Sequence, residues 1–345
     1  MNYVRNAWYV VSWADSLAEA PTATMVLGEP IVVWRSGGEL VAFEDRCVHR
    51  LAPLSRGRCE DGKLRCMYHG FLYEPRGTVV QIPGQQNIPA IAKVRTYPVT
   101  SKHGWIWVWM GDPALADEKL IPPADGFDDP AWIRGESQMD YDAEARLVNE
   151  NLLDFSHISF VHAESLGAGM DYAETVPDVI AMPRGVRFER WTAGKPFSRT
   201  SFKATTDPVD VWQAYEYHVP GILLSRRAVF PPGTAAEFKL KCPDYSRAIS
   251  EVTFSAQAVT PTSEFGARYF FGWAIHRDHG DEARRDRTLA ALERAFLEDK
   301  VMIEAQQRIL NLTPSPSVMP TVHDRGVVLF NKIVEELRNQ ELTEK

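Results

Sequence analysis

Apolar positions along the chain fall into two regimes. Up to about residue 118 they come in short runs bounded by turn residues, which read as strands. Ile31 to Arg35 and Leu40 to Phe43 read as a hairpin turned at Ser36-Gly37-Gly38. Val79 to Gly84 and Trp105 to Met110 read as further strands, the last ended by Gly111-Asp112-Pro113. Residues 114–135, with Pro122, Pro123 and Pro130 inside them, read as a linker or long crossover. Beyond it the pattern mixes. Glu144 to His162 reads as helix, and Gly185 to Phe188, Val219 to Phe230, Ser250 to Ala258 and Arg268 to Trp273 as strands. Thr288 to Leu310 carries a helical stripe of Leu289, Leu292, Phe296, Ile303 and Leu310. The pattern predicts an α+β chain: an all-β domain over 1–118, then a domain over 119–345 with a mainly antiparallel sheet and a long helix.

Composition narrows the function classes. A chain of 345 residues, 45% hydrophobic and 24% charged, can build two real cores. A net charge of −8 argues against nucleic acid or an anionic membrane as partner. No apolar run approaches the roughly 18 residues of a membrane helix, and Met1 to Asn6 begin no signal peptide. Four cysteines are too few for a disulfide framework, so the expected setting is the reducing cytoplasm. No G-x-G-x-x-G occurs; Gly167-Ala168-Gly169 lacks a third glycine. Nicotinamide therefore enters only indirectly, through another protein.

The first chemical motif is Cys47-Val48-His49, sixteen residues, then Cys66-Met67-Tyr68-His69-Gly70. Each loop offers one thiolate and one imidazole, whereas a zinc finger keeps like ligands together. Mixed pairs suit a Rieske [2Fe–2S] cluster, with two Cys on one iron and two His on the other. The alternatives are a Cys2His2 zinc site, or two buried cysteines beside unrelated histidines. Cys59 and Cys242 remain outside the motif.

The second motif is His157 and His162, which a regular helix sets about 140° apart. Sharing a target requires a break or a π-type turn between them. Asp299 falls inside the apolar stripe of the long helix, where an unpaired carboxylate costs several kcal/mol. Glu298 and Glu304 are expected to point to solvent. Two His and one carboxylate make the facial triad of non-haem Fe(II) sites that activate O2. Two structural histidines, and a salt bridge from Asp299 to an arginine, are the alternatives. Along Gly221 to Phe230, Arg226 and Arg227 must point to opposite faces.

Taken together, these motifs, with Asn-x2-Asp-x2-His-x4-His at 151–162 and Glu298-Asp299, resemble the oxygenase components of Rieske non-haem iron oxygenases. Arg5-Asn6-Ala7-Trp8-Tyr9 and the length are similar to the vanillate O-demethylase group and its aromatic-acid and sulfonate relatives. The resemblance implies an N-terminal Rieske domain and a catalytic domain of helix-grip type. It implies that Cys47, His49, Cys66 and His69 bind the cluster, and that His157, His162 and Asp299 bind Fe(II). It implies a homotrimer in which one subunit's cluster feeds its neighbour's iron through Asp154, and a separate reductase, with or without a ferredoxin. It puts Ser225 and Arg227 on the substrate side with Gln257 nearby, while Arg226 stays open as the buried arginine and an internal acid as the partner of Arg227. The implied reaction is O2-dependent O-demethylation of an anionic methoxylated aromatic. Methyl or ring hydroxylation of an aromatic acid or sulfonate is the alternative, and a Rieske electron carrier without oxygenase activity the third reading.

Overall fold

A computed structural model describes residues 3–166, 169–196 and 206–343. The chain divides into two compact units, 1–121 with 260–264, and 122–259 with 265–345.

The first unit is all β. A three-stranded sheet pairs Trp8–Trp13 and Val99–Lys102 with Trp105–Trp109 between them. A four-stranded sheet orders Thr22–Val26, Glu29–Ser36, Glu39–Glu44 and Thr96–Tyr97. The central Trp105–Trp109 strand is buried along its whole length, and Trp34, Trp105, Trp107 and Trp109 are fully enclosed. A second four-stranded sheet joins Arg58–Glu60, Lys63–Arg65, Leu72–Tyr73 and Val79–Gln81. The strand expected over 79–84 stops at Gln81, because the chain turns at Gly84, whose φ of 75° no strand accommodates.

The second unit is built on a seven-stranded antiparallel sheet. Its order is Trp132–Tyr141, Gly266–His276, Ser250–Ser263, Ile222–Phe230, Val209–His218, Gly185–Lys195, Asp178–Met182. Six of the seven form a meander; Trp132–Tyr141 starts the unit yet closes the far edge beside the last strand. The helix Glu282–Asn311, about 45 Å long at 1.5 Å per residue, packs on this edge. Gly135 permits the approach: a Cβ there would lie 2.9 Å from the Arg285 side chain and 3.2 Å from Leu289. Helix Ala145–Leu153 and the C-terminal helix Arg325–Thr343 complete the unit. Several elements go beyond the sequence pattern: in this unit Trp132–Tyr141 lies partly inside the expected linker, and Asp178–Met182, Val209–His218 and Arg325–Thr343 fall where the pattern predicts no element. The stretch expected as one helix to His162 instead ends at Leu153.

Candidate active site

The two Cys/His loops of the first unit are built alike. In one, Cys47 N–H donates to Ala52 O (2.8 Å) and Leu51 N–H to Cys47 O (2.8 Å). In the other, Cys66 N–H donates to Phe71 O (2.8 Å) and Gly70 N–H to Cys66 O (3.0 Å). The fifth residue of each is left-handed, Leu51 at φ 56° and Gly70 at φ 75°. Both sulfurs are buried and in no disulfide, while His49 and His69 stand exposed with ring centroids 4.5 Å apart. The Tyr73 hydroxyl lies 3.1 Å from Cys47 Sγ and accepts from Val48 N–H at 3.1 Å. Burial, and the neighbouring Cys47, push the Cys66 thiol above its ordinary value. Two dry sulfurs on one side and two wet imidazoles on the other suit the donor set of a Rieske cluster.

In the second unit the histidine spacing is resolved by a break, with no π turn. Helix Ala145–Leu153 stops at Asp154, whose backbone is extended (φ −119°, ψ 100°). Its carboxylate then accepts from Ser156 N–H at 2.8 Å and starts a new turn, Phe155–His157, which runs into helix Ile158–Val161. That change of direction brings the two imidazoles to 5.3 Å between centroids.

Asp299 meets them from the long helix. Its Oδ1 is 3.4 Å from His157 Nε2 and its Oδ2 is 3.1 Å from His162 Nε2. One ligand atom from each of the three residues lies within 4.8 Å of the other two. Asp299 is 3% and His162 2% exposed, so this charge sits in a dry setting. Asn151 Nδ2 donates to Asp299 Oδ1 at 3.1 Å.

The far nitrogens are anchored separately. His157 Nδ1 bonds the Asp154 carbonyl at 2.6 Å, and His162 Nδ1 bonds Glu298 Oε2 at 2.8 Å. Ser165 Oγ donates to the same Glu298 oxygen at 2.6 Å. With Nδ1–H committed on both rings, each Nε2 lone pair turns toward Asp299, the arrangement metal-bound histidines need. Glu298 therefore departs from its expected role as a solvent-facing residue: its flexible side chain reaches back around the helix to His162. Burial lowers His157, with Asp299 opposing. Burial also pulls on His162, but hydrogen bonding and charge from Asp299, then Glu298, leave it raised. Within the chain, Asp154 holds His157 through its carbonyl; its carboxylate goes to Ser156.

A cavity of about 130 Å³ opens from His157, His162 and Asp299. Leu152, Phe155, Ile158, Leu292, Phe296 and Trp273 give it apolar walls. The sheet supplies a polar floor: Leu223, Ser225 and Arg227 alternate inward along Ile222–Phe230, with Thr253, Ser255 and Gln257 beside them. Arg226 is on the other face with Leu224, its guanidinium 5.6 Å from the Phe254 centroid. Arg227 Nη2 donates to Tyr172 OH at 2.8 Å, and Gln257 Oε1 accepts from Tyr269 OH at 2.5 Å. Sequence reasoning missed Tyr172 and Gln213 in this site, and gave Asn151 no role beyond its place in the motif. The resemblance also implies that 193–241 shapes the pocket; of that stretch, residues 197–205 lie outside the described residues.

Comparison with known proteins follows the same division. Residues 7–98 match the Rieske [2Fe–2S] domain, and residues 141–340, over half the chain, match the vanillate O-demethylase oxygenase C-terminal domain. The chain belongs to the vanillate O-demethylase group of Rieske oxygenases. It is 36% identical over 332 residues to the putative toluene-4-sulfonate monooxygenase system iron-sulfur subunit of Comamonas testosteroni, covering 94% of each chain. It is 33% identical to a vanillate O-demethylase oxygenase subunit of a Pseudomonas species, over 92% of this chain and 96% of that one. The solved structure of dicamba monooxygenase with non-haem iron and dicamba superposes with a TM-score of 0.79 at 26% identity, covering both chains fully. This Rieske oxygenase is thus an oxidoreductase of the oxygenase-component type, and the zinc-site and simple electron-carrier readings fall away. Among the described residues no helix is long and apolar enough to cross a membrane.

Proposed function

We propose that this oxygenase inserts one atom of O2 into a methoxy or methyl group of an anionic aromatic, with O-demethylation as the leading reaction. The observation that carries the reading is one cavity bounded by His157, His162 and Asp299 and also by Arg227. Cys47, His49, Cys66 and His69 would hold the [2Fe–2S] cluster, and His157, His162 and Asp299 a mononuclear iron. When bound, that iron supplies O2 activation at its open positions.

The protein's own part is binding and orientation. Arg227 holds the anion, since a guanidinium fork matches carboxylate or sulfonate oxygens. Ser225 and Gln257 flank it, and the apolar walls grip the ring and keep water from the reacting carbon. Glu298 and the Asp154 carbonyl keep the two imidazoles aimed. Oxygen insertion into an O-methyl C–H bond gives a hemiacetal that splits into a phenol and formaldehyde. The second oxygen atom leaves as water, using two electrons and two protons. A separate reductase supplies the electrons, and the working form is a homotrimer in which Asp154 bridges one subunit's cluster to the next subunit's iron. Hydroxylation of an aryl methyl is the second reading, favoured by the similarity to the toluene-4-sulfonate monooxygenase subunit.

The test is O2 uptake by the reconstituted system on methoxybenzoates, methylbenzoates and methylbenzenesulfonates, with formaldehyde assayed. Formaldehyde formed one-to-one with O2 supports demethylation; a benzylic alcohol without formaldehyde moves the assignment to hydroxylation. Uptake stimulated by none of the anions ends the proposal.

A further inference from the structure

The strand register aligns four polar side chains across the inner face of the catalytic sheet. Arg190 pairs with Gln213, Gln213 with Arg227, and Arg227 with Thr253, and directly opposed residues share a face. Gln213, Arg227 and Thr253 line the cavity. Arg190 lies one strand further on and is only 8% exposed.

A buried guanidinium without an anion is costly. Among the described residues Arg190 forms no ion pair; its guanidinium neighbours the buried Tyr215 hydroxyl, a neutral partner, and its Nε has no hydrogen-bond partner. It also packs on an aromatic face: the guanidinium lies 4.6 Å from the centroid of Tyr172. Tyr172 stands on the short segment Asp171–Glu174, and its hydroxyl is used in both directions. It accepts from Arg227 Nη2 at 2.8 Å and donates to Gln213 Oε1 at 2.9 Å. One ring thus couples the two arginines, with its face on Arg190 and its oxygen on Arg227. The positive charge at this end of the cavity exceeds what one substrate-binding arginine would provide.

We propose that Arg190 and Tyr172 determine the enzyme's selectivity for anionic aromatics. Tyr172 is a positioning residue that fixes the fork of Arg227. Arg190 provides a second positive charge behind the ring, close enough to favour an anion and screened from direct contact with it. The ligand is an aromatic sulfonate or carboxylate whose anionic group lies against this row. The inference rests on the reading that Arg227 receives the substrate anion and adds the groups that make Arg227 effective.

The experiment titrates holoenzyme, with both metal centres loaded, against 4-methylbenzenesulfonate, 4-methoxybenzoate and the neutral 4-methoxytoluene, by calorimetry. Tyr172→Phe and Arg190→Met should each weaken the two anions about tenfold, as loss of a charge-assisted contact does, while the neutral probe binds as before. Arg190→Lys, which keeps the charge, should recover most of the loss. Which anion binds tighter to the parent protein separates sulfonate from carboxylate. If Arg190→Met fails to fold, the Tyr172→Phe and Arg190→Lys titrations still decide. Variants that bind both anions like the parent, or that lose the neutral probe equally, overturn the proposal. A parent protein that prefers the neutral probe instead removes the anionic-substrate reading beneath it.

Discussion

Glu298 is the sharpest test of how the proposed iron site is held. Truncation to alanine removes the acceptor 2.8 Å from His162 Nδ1, an oxygen that also accepts from Ser165 Oγ. His162 is 2% exposed, so its ring N–H would face a dry gap or swing the ring off target. An unsatisfied buried donor costs about 1–3 kcal/mol. The Glu298 side chain is itself 38% exposed, so water can enter and recover part of that cost. The expectation is therefore about a tenfold to thirtyfold loss of metal affinity, within the roughly 10–100-fold range for partners that orient a ligand histidine. Metal-stripped protein is titrated anaerobically with Fe(II) against a competing chelator, and with Co(II) for its optical spectrum. Glu298→Gln, which can still accept from Nδ1–H, should recover most of the affinity. Asp299→Ala, missing a ligand, should bind no stoichiometric iron while keeping the cluster. Iron affinity in Glu298→Ala equal to the parent's would refute the reasoning.

Three further outcomes are expected. Asp154→Asn should keep both metal centres yet lose nearly all turnover, with rapid cluster reduction and stalled delivery to the iron in single-turnover kinetics; parent-like product formation would remove the bridge. Tyr73→Phe removes the hydroxyl beside Cys47 Sγ and should lower the cluster potential in a redox titration, because a donor near sulfur favours the reduced form. Glu216 is held down to about 2 by its hydrogen bond with His218, and next by Arg187, against burial. A depressed carboxyl stabilises the fold above its usual value of 4.5, and that contribution is lost as pH falls through the folded-state value. Glu216→Gln should then be less stable at pH 7 and show a flatter stability curve between 4.5 and about 2 in urea titrations.

The residues with distinctive chemistry were legible because their types and spacing carry information. Mixed Cys/His loops, two histidines five apart and a carboxylate on an apolar stripe each violate a structural default. The helix break was legible only as one of two options; Asp154 decided it by capping a new turn, which depends on its backbone as much as its side chain. Glu298 was misread because a helical wheel gives the direction of Cβ, while a long side chain can turn back to a neighbouring helix. The buried stripe itself proved to be Thr288, Ala291, Ala295, Phe296, Asp299, Ile303 and Gln307, whose polar members blur the apolar period. Strand Val209–His218 escaped for a related reason. Asp210, Gln213 and Glu216 interrupt its alternation, and two of them are buried, Asp210 accepting from Gly194 and Ala235 N–H and Gln213 from Tyr172. The row from Arg190 to Thr253 could not be read at all, since strand register is a property of the folded sheet.

The segment 260–264, the last residues of strand Ser250–Ser263 and the one after them, bears on how the protein can be cut and how it melts. Those five residues belong to the first unit, although the rest of that strand and the next strand, Gly266–His276, belong to the second. Within the first unit, Thr260 Oγ1 donates to Val10 O at 2.6 Å, Leu27 N–H to Pro261 O at 2.7 Å, and Gly28 N–H to Thr262 O at 3.2 Å. The chain therefore crosses between units three times, and no single scission separates them. An expressed fragment ending at Ile121 would leave the Val10 carbonyl and two backbone donors without these partners. Gene fusions or domain swaps that join the chain only near residue 121 should consequently yield a weakened cluster-binding half, unless the 260–264 segment of the same protein is carried along with it.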